Sequence, residues 1–245
     1  MDFFSSSWRQ QQLINKSEWN SAADKTGLPP GTLIHIGEKH DTECRITVIQ
    51  YDANNLNRCQ IKTIAELKEL QNPDLITWVN VDGLSDVDIV AGIGQELNIH
   101  PLVLEDILST HQRPKLEEYE NFLYLVIKGI SLNLEKEFCL QYEQISILLL
   151  ANCVVTFKEK PDDTFDPIIN HLQNKHGRLR QLGSDYLAYV IVDTIVDEYF
   201  VVEDNLDDII DPLEDNLLLN SSKEMLQTVQ HIRRGLISMK RNISP

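Results

Sequence analysis

No stretch of this 245-residue sequence reaches the roughly 20 consecutive apolar residues that a membrane-spanning helix requires. The N-terminus, MDFFSSSWRQQQ, has neither a basic leader nor an apolar core, so it is not expected to act as a secretory signal peptide. Cysteine is scarce. Cys44, Cys59, Cys139 and Cys153 make no Cys-x-x-Cys pair, and all four fall in segments that read as strands. They are expected to be small buried hydrophobes in a reducing compartment rather than disulfides. Basic residues are also few, 22 against 38 acidic, for a formal net charge of −16. Nucleic acid is thereby excluded as the main partner, because phosphate binding needs clustered Lys and Arg. An acidic surface draws cations instead, as that of any soluble acidic protein does.

Several catalytic and ligand-binding patterns are missing too. No Ser or Cys stands in a nucleophile-elbow context. Gly92-Ile93-Gly94 lies inside a helical pattern and lacks the third glycine and the Lys-Ser of a phosphate loop. His171 and His176 are five apart, which keeps them off one helix face and removes a zinc pair.

What remains is a patterned chain. Residues 1–30 are polar and end in Leu28-Pro29-Pro30, a weakly ordered lead-in. Thr32 to Ile36 and Arg45 to Tyr51 read as strands joined by a polar hairpin loop, and Cys59 to Lys62 as a short strand. Thr63 is placed to cap a short helix carrying Ile64, Leu67 and Leu70. Ile76 to Val81 is an apolar strand, and Ser85 opens a helix with Val87, Val90, Ile93 and Leu97 inward. Three more strands follow, Phe122 to Leu132, Tyr142 to Leu150 and Cys153 to Phe157, the last two joined by Ala151-Asn152. Phe165 to His176 reads as a helix with Asp166 as cap and Pro167 in its first turn. Strands with short helices, then helices alone, imply an α/β fold: a mixed sheet sandwiched between helices, followed by a long acidic helical hairpin. The expected division is 1–30 lead-in, 31–183 α/β domain and 184–245 long helices.

The helix beginning near Asp185 carries an unusual face. At about 100° per residue, Asp193, Asp197, Asp204, Asp208, Asp211 and Asp215 fall in one sector of about 60°. Ile191, Ile195, Val202, Leu206, Ile209, Leu213 and Leu217 lie opposite. A solvated amphipathic helix would also show a polar face. Yet Asp is a poor helix former, and Asp pairs at i and i+4 repel. Few basic residues answer them, so the face reads as a surface for hard, oxygen-seeking cations. Pro212 should kink this helix, or restart it with Asp211 as cap.

The densest motif runs from His100 to Lys115, HPLVLEDILSTHQRPK, followed by NFLYLVIKGI. Leu102, Leu104, Ile107 and Leu108 supply a buried face, and Glu105 and Asp106 place carboxylates on the turn between them. Adjacent helix positions diverge by about 100°, so this pair cannot flank one scissile bond as a hydrolase would require. Arg113 and Lys115 are expected to pair with Glu117, Glu118 and Glu120. With WVNVDGL (Trp78 to Leu84), CVVTFKEKPDDTFDPI (Cys153 to Ile168) and SDYLAYVIVDTIVDEYF (Ser184 to Phe200), the motif resembles the CorA family of divalent-cation, chiefly magnesium, channels.

That resemblance covers the chain from about Asp74 onward and implies the following. The chain is the cytoplasmic, magnesium-sensing part of a CorA-like magnesium/cobalt channel at the inner face of the cell membrane. It performs no catalysis, and the full-length protein is a homopentamer passing cations down their gradient. Membrane segments and a Gly-Met-Asn pore motif would lie beyond Pro245, since the C-terminal helix ends without a cap. Regulatory Mg2+ would sit between protomers, with Glu105 and Asp106 as sensing acids and Asp193 as a supporting acid. Asp197, Asp204, Asp208 and Asp211 form a secondary acidic stripe. Two alternatives stand beside it: a ZntB-like zinc transporter of the same superfamily, and a metal-dependent hydrolase built on the stripe.

Overall fold

The structure, a computed structural model, describes residues 27–37, 43–133, 139–174, 178–219 and 223–244. Most of the expected lead-in, the tip of the first hairpin loop, His176 and the side chains of Cys139 and Asp215 lie outside them. Seven strands form one mixed sheet: β1 (Arg45–Tyr51), β2 (Leu56–Ile61), β3 (Ile76–Asp82), β4 (Lys115–Glu118), β5 (Leu123–Asn133), β6 (Cys139–Leu149) and β7 (Cys153–Lys158). Their order is β2-β1-β3-β7-β6-β5-β4. Every pairing is antiparallel except β3 with β7 at the centre, which is parallel.

Alternation along the strands splits the apolar residues between two cores. Val48, Val79, Val81, Val155 and Phe157 face α1 (Ile64–Glu69), α2 (Val87–Glu96) and α3 (Pro101–Leu108). Ile49, Tyr51, Trp78, Ile145, Ile147 and Val154 face α4 (Asp166–Gln173) and α5 (Ser184–Leu219). The fold is thus the expected helix–sheet–helix sandwich. α6 (Lys223–Ile243) returns along α5, and its Met239 and Ile243 pack with Val202, Leu206 and Ile130. No helix among the described residues is long and apolar enough to cross a membrane.

Local departures from expectation have physical causes. Thr32 to Ile36 is not a sheet strand. Only Ile36 bridges, in parallel with Ser109, because the segment lies along α3 with Ile36 and Leu33 packed into its core. Cys44 stands just before β1 rather than within it. The described cysteines, Cys44, Cys59 and Cys153, are free and half-buried, and burial pushes the Cys44 and Cys153 thiols up to about 12. α2 is capped by Asp86, one residue after Ser85, since the Asp86 carboxylate accepts from the Asp88 N–H at 3.0 Å. α4 begins one residue early, with Asp166 already helical after Phe165, whose side chain makes no cap bond. α5 neither ends nor restarts at Pro212 but runs through it to Leu219. The ring sits on an exposed part of the helix, so loss of one backbone bond leaves no buried carbonyl stranded.

Candidate functional site

α3 is built to hold an acidic corner still. His100 caps it, its Nδ1 accepting from the Leu102 N–H at 3.2 Å, and Pro101 occupies the first turn. Leu102, expected on the packed face, is 45% exposed and Val103 takes its place: Val103, Leu104, Ile107 and Leu108 are buried. Each contributes about 1.5–3 kcal/mol, more than any surface ion pair at the corner. The apolar face therefore fixes the helix, and Glu105 and Asp106 stand on its half-buried flank.

The two carboxylates point to different partners, as their 100° separation requires. Glu105 Oε2 accepts from the Gly31 N–H at 2.6 Å, where Gly31 has φ +82° after the Pro29-Pro30 turn. Asp106 Oδ1 accepts from Gln112 Nε2 at 3.0 Å, and Asp106 Oδ2 receives Lys115 Nζ at 2.6 Å. Lys115 Nζ also lies 2.8 Å from Glu117 Oε1 and 5.3 Å from the centre of the Tyr124 ring. Burial works to lower the Lys115 pKa, but its hydrogen bonds to Asp106 and Glu117, together with their negative charges, outweigh it and hold it above the ordinary lysine value. The Lys115 bond, against a smaller opposing effect of burial, holds Glu117 below the usual carboxylate range.

A buried polar hub supports this corner. Gln144 Nε2 donates to the Asp106 carbonyl at 3.2 Å, and its Oε1 accepts from the Gln112 N–H at 3.0 Å. Lys128 Nζ donates to the Thr110 carbonyl at 2.8 Å, while Glu159 Oε1 accepts from the Gln144 N–H at 2.7 Å. Burial depresses Lys128 to about 8, opposed by the charge of Glu159.

The acids of α5 lie elsewhere. α3 packs on one face of the sheet and α5 on the other, so Asp193 does not meet Glu105 and Asp106 within one chain. Asp193, Asp197, Asp204, Asp208 and Asp211 are all exposed. Asp193 stands beside Tyr189, whose hydroxyl is held above the ordinary tyrosine value by the Asp193 charge and then by a hydrogen bond to it. Among the described residues, no three His, Cys, Asp or Glu side chains converge as a metal site would need. The donor chemistry nevertheless fits a hard cation: Asp106 offers carboxylate oxygen at 28% exposure, reachable from water.

A model of CorA-like Mg2+ transporter proteins matches residues 74–245. The chain belongs to that family. The cobalt/magnesium transport protein CorA of Thermotoga maritima is 37% identical over 223 residues, covering 90% of this chain. The chain spans 62% of that relative's length. The soluble domain of CorA from Methanocaldococcus jannaschii superposes with a TM-score of 0.61 at 16% identity, over 80% of this chain and 74% of that one. The ZntB cytoplasmic domain of Vibrio parahaemolyticus gives 0.58 at 18% identity, again over 80% and 74%. At such identities these two likenesses establish the fold and nothing about the ion.

Of the expected Lys115 partners Glu117, Glu118 and Glu120, the structure keeps Glu117 and adds Asp106, nine residues back. No helical spacing signals that contact, which exists because the chain turns after Pro114 into edge strand β4. Local spacing does not mark Gly31, Gln112, Lys128 or Gln144 either. An uninterrupted strand pattern with Lys128 and Gln144 at buried positions was the available hint.

Proposed function

We propose that this chain is the cytoplasmic, magnesium-sensing part of a CorA-type magnesium/cobalt channel at the inner face of the cell membrane. Membership of the CorA-like family across residues 74–245 carries the reading. In the assembled homopentamer, Glu105 and Asp106 present carboxylates at the boundary between protomers, and Asp193 supports them from the long-helix side. The exposed stripe of Asp197, Asp204, Asp208 and Asp211 keeps the local potential negative and the cation concentration high. A bound Mg2+ supplies the positive charge that lets these acids of neighbouring protomers stay together. When cytosolic Mg2+ falls, the carboxylates repel, protomers separate and the pore opens. This is a population shift set by differential cation affinity for the closed state. No catalytic step is involved, and cations move passively.

The experiment is a magnesium titration of conductance in the full-length protein. Asp106→Asn with Asp193→Asn keeps shape and removes charge, so the double variant should still conduct at Mg2+ concentrations that silence the parent. Equal inhibition of variant and parent across the titration removes these residues from the sensing role.

A further inference from the structure

We infer that Lys115 is a built-in counter-cation for Asp106 which an arriving divalent ion displaces, and that Glu117 keeps hold of the displaced ammonium. The inference rests on Asp106 being a cation ligand. It adds how that site sets its affinity and rejects monovalent ions.

The geometry is that of an exchange. Lys115 Nζ bridges two carboxylates at nearly equal distance, 2.6 Å to Asp106 and 2.8 Å to Glu117. Releasing Asp106 leaves the ammonium paired with Glu117 and near the Tyr124 ring, so it is never stranded. Asp106 itself does not have to move. Its other oxygen is held by Gln112, and its backbone carbonyl by Gln144. Glu117 is steadied in turn by the Tyr119 hydroxyl, which donates to its second oxygen at 3.0 Å.

Exposure decides how hard the lysine is to remove. The two side chains are 25% and 28% exposed, and a pair so open to water is weak and solvent-screened. A divalent ion offers Asp106 twice the charge that Lys115 does. A potassium ion offers the same charge with no covalent tether, so it does not compete. Lys115 therefore lowers affinity for Mg2+ in exchange for discrimination against the abundant monovalent cation.

MgCl2 is titrated into full-length protein, and the midpoint of protection from limited proteolysis is read, a measure independent of transport. Lys115→Met, which keeps length but not charge, should lower the midpoint by about fivefold, the equivalent of losing a partly exposed ion pair. Lys115→Arg keeps the charge but grips a carboxylate with two donors, so it should raise the midpoint. Arg113→Gln removes a positive charge two residues away and should leave it near the parent's. If Lys115→Met does not fold, the direction of the Lys115→Arg shift decides. A Lys115→Arg midpoint at or below the parent's, or equal shifts for Lys115→Met and Arg113→Gln, overturns the exchange. An Asp106→Asn midpoint equal to the parent's sinks instead the underlying reading of Asp106 as a ligand.

Discussion

Trp78 and Thr156 are locked together at the centre of the sheet: the indole Nε1 donates to Thr156 Oγ1 at 3.0 Å, with both residues fully buried. The hydroxyl in turn donates a hydrogen bond to Asn80 Oδ1 at 2.7 Å, and Asn80 Nδ2 donates to Asp82 Oδ1 at 3.1 Å. Arg45 closes the run on Asp82 Oδ2 at 2.8 Å. Three strands, β1, β3 and β7, are thus tied across the one parallel pairing among the described strands. Each buried donor in the run has an acceptor, which is why a polar line is tolerated inside an apolar core.

Thr156→Val keeps the shape of the side chain and deletes both bonds. It strands the Trp78 N–H in the core, and it should destabilise the protein by about 1–3 kcal/mol in urea denaturation. Thr156→Ser retains the hydroxyl and should recover most of that. Equal losses for Val and Ser would assign the effect to packing alone.

Two glycines of α2 stand against neighbouring helices, Gly94 against α3 and Gly92 against α1. A methyl group on either would overlap a neighbour, on Gly94 the fully buried Leu104 side chain and on Gly92 the half-buried Ile64 side chain. Overpacking a core costs about 1–3 kcal/mol, against a gain of about 1 kcal/mol for replacing Gly in a helix. Gly94→Ala should therefore be net destabilising, and Gly92→Ala less so because half-buried Ile64 has more room to shift than Leu104, measured as denaturation midpoints. Leu104→Val should partly rescue Gly94→Ala if the clash is with Leu104.

Much of this fold was legible because its signals are local. Thr63 as cap of α1, the Ala151-Asn152 hairpin and the apolar side of α5 all follow from spacings of one to four residues. The candidate site was legible only in part. Glu105 and Asp106 could be placed on a helix flank, but their partners come from Gly31, Gln112 and Lys115, brought in by turns and an edge strand. Pro212 is the opposite case: the local rule allows a restart of the helix there, but helix on both sides, one face of it packed as far as Leu206, carries the chain through.

Pro212 offers a test of that point. Proline lacks the N–H that would bond the Asp208 carbonyl, and it is the poorest helix former by about 3 kcal/mol. With α5 helical on both sides, Pro212→Ala restores the bond without disturbing a packed residue. Amide hydrogen exchange around Asp208–Leu219 should slow by an order of magnitude or more. Unchanged exchange would mean that this part of α5 opens for reasons unrelated to proline.

The last prediction concerns Glu143, which lines a cavity of about 490 Å³ between β5, β6, α4 and α5 with Asp162, Asp163, Asp166 and Glu198. Only 8% exposed, it accepts from the Lys160 N–H at 3.0 Å. Burial pushes its carboxyl from 4.5 up to about 7, opposed by Lys158 and that backbone bond and reinforced by Asp162 and Glu159. Lys158 is largely committed to Asp162, with which it forms an ion pair. Because the folded value exceeds the unfolded one, the folded chain holds this proton more tightly. The resulting stabilisation is full below about pH 4.5 and is lost as pH rises through about 7. Glu143→Gln keeps an acceptor for Lys160 and cannot ionise, so it should be more stable than the parent at pH 7.5 by up to about 3 kcal/mol. The two should converge as pH falls towards 4.5. Lys128, depressed to about 8, contributes stability as pH rises above that value, so the comparison belongs between pH 4.5 and 7.5. Parallel stability curves for the two proteins over that window would show that Glu143 is solvated in the folded state.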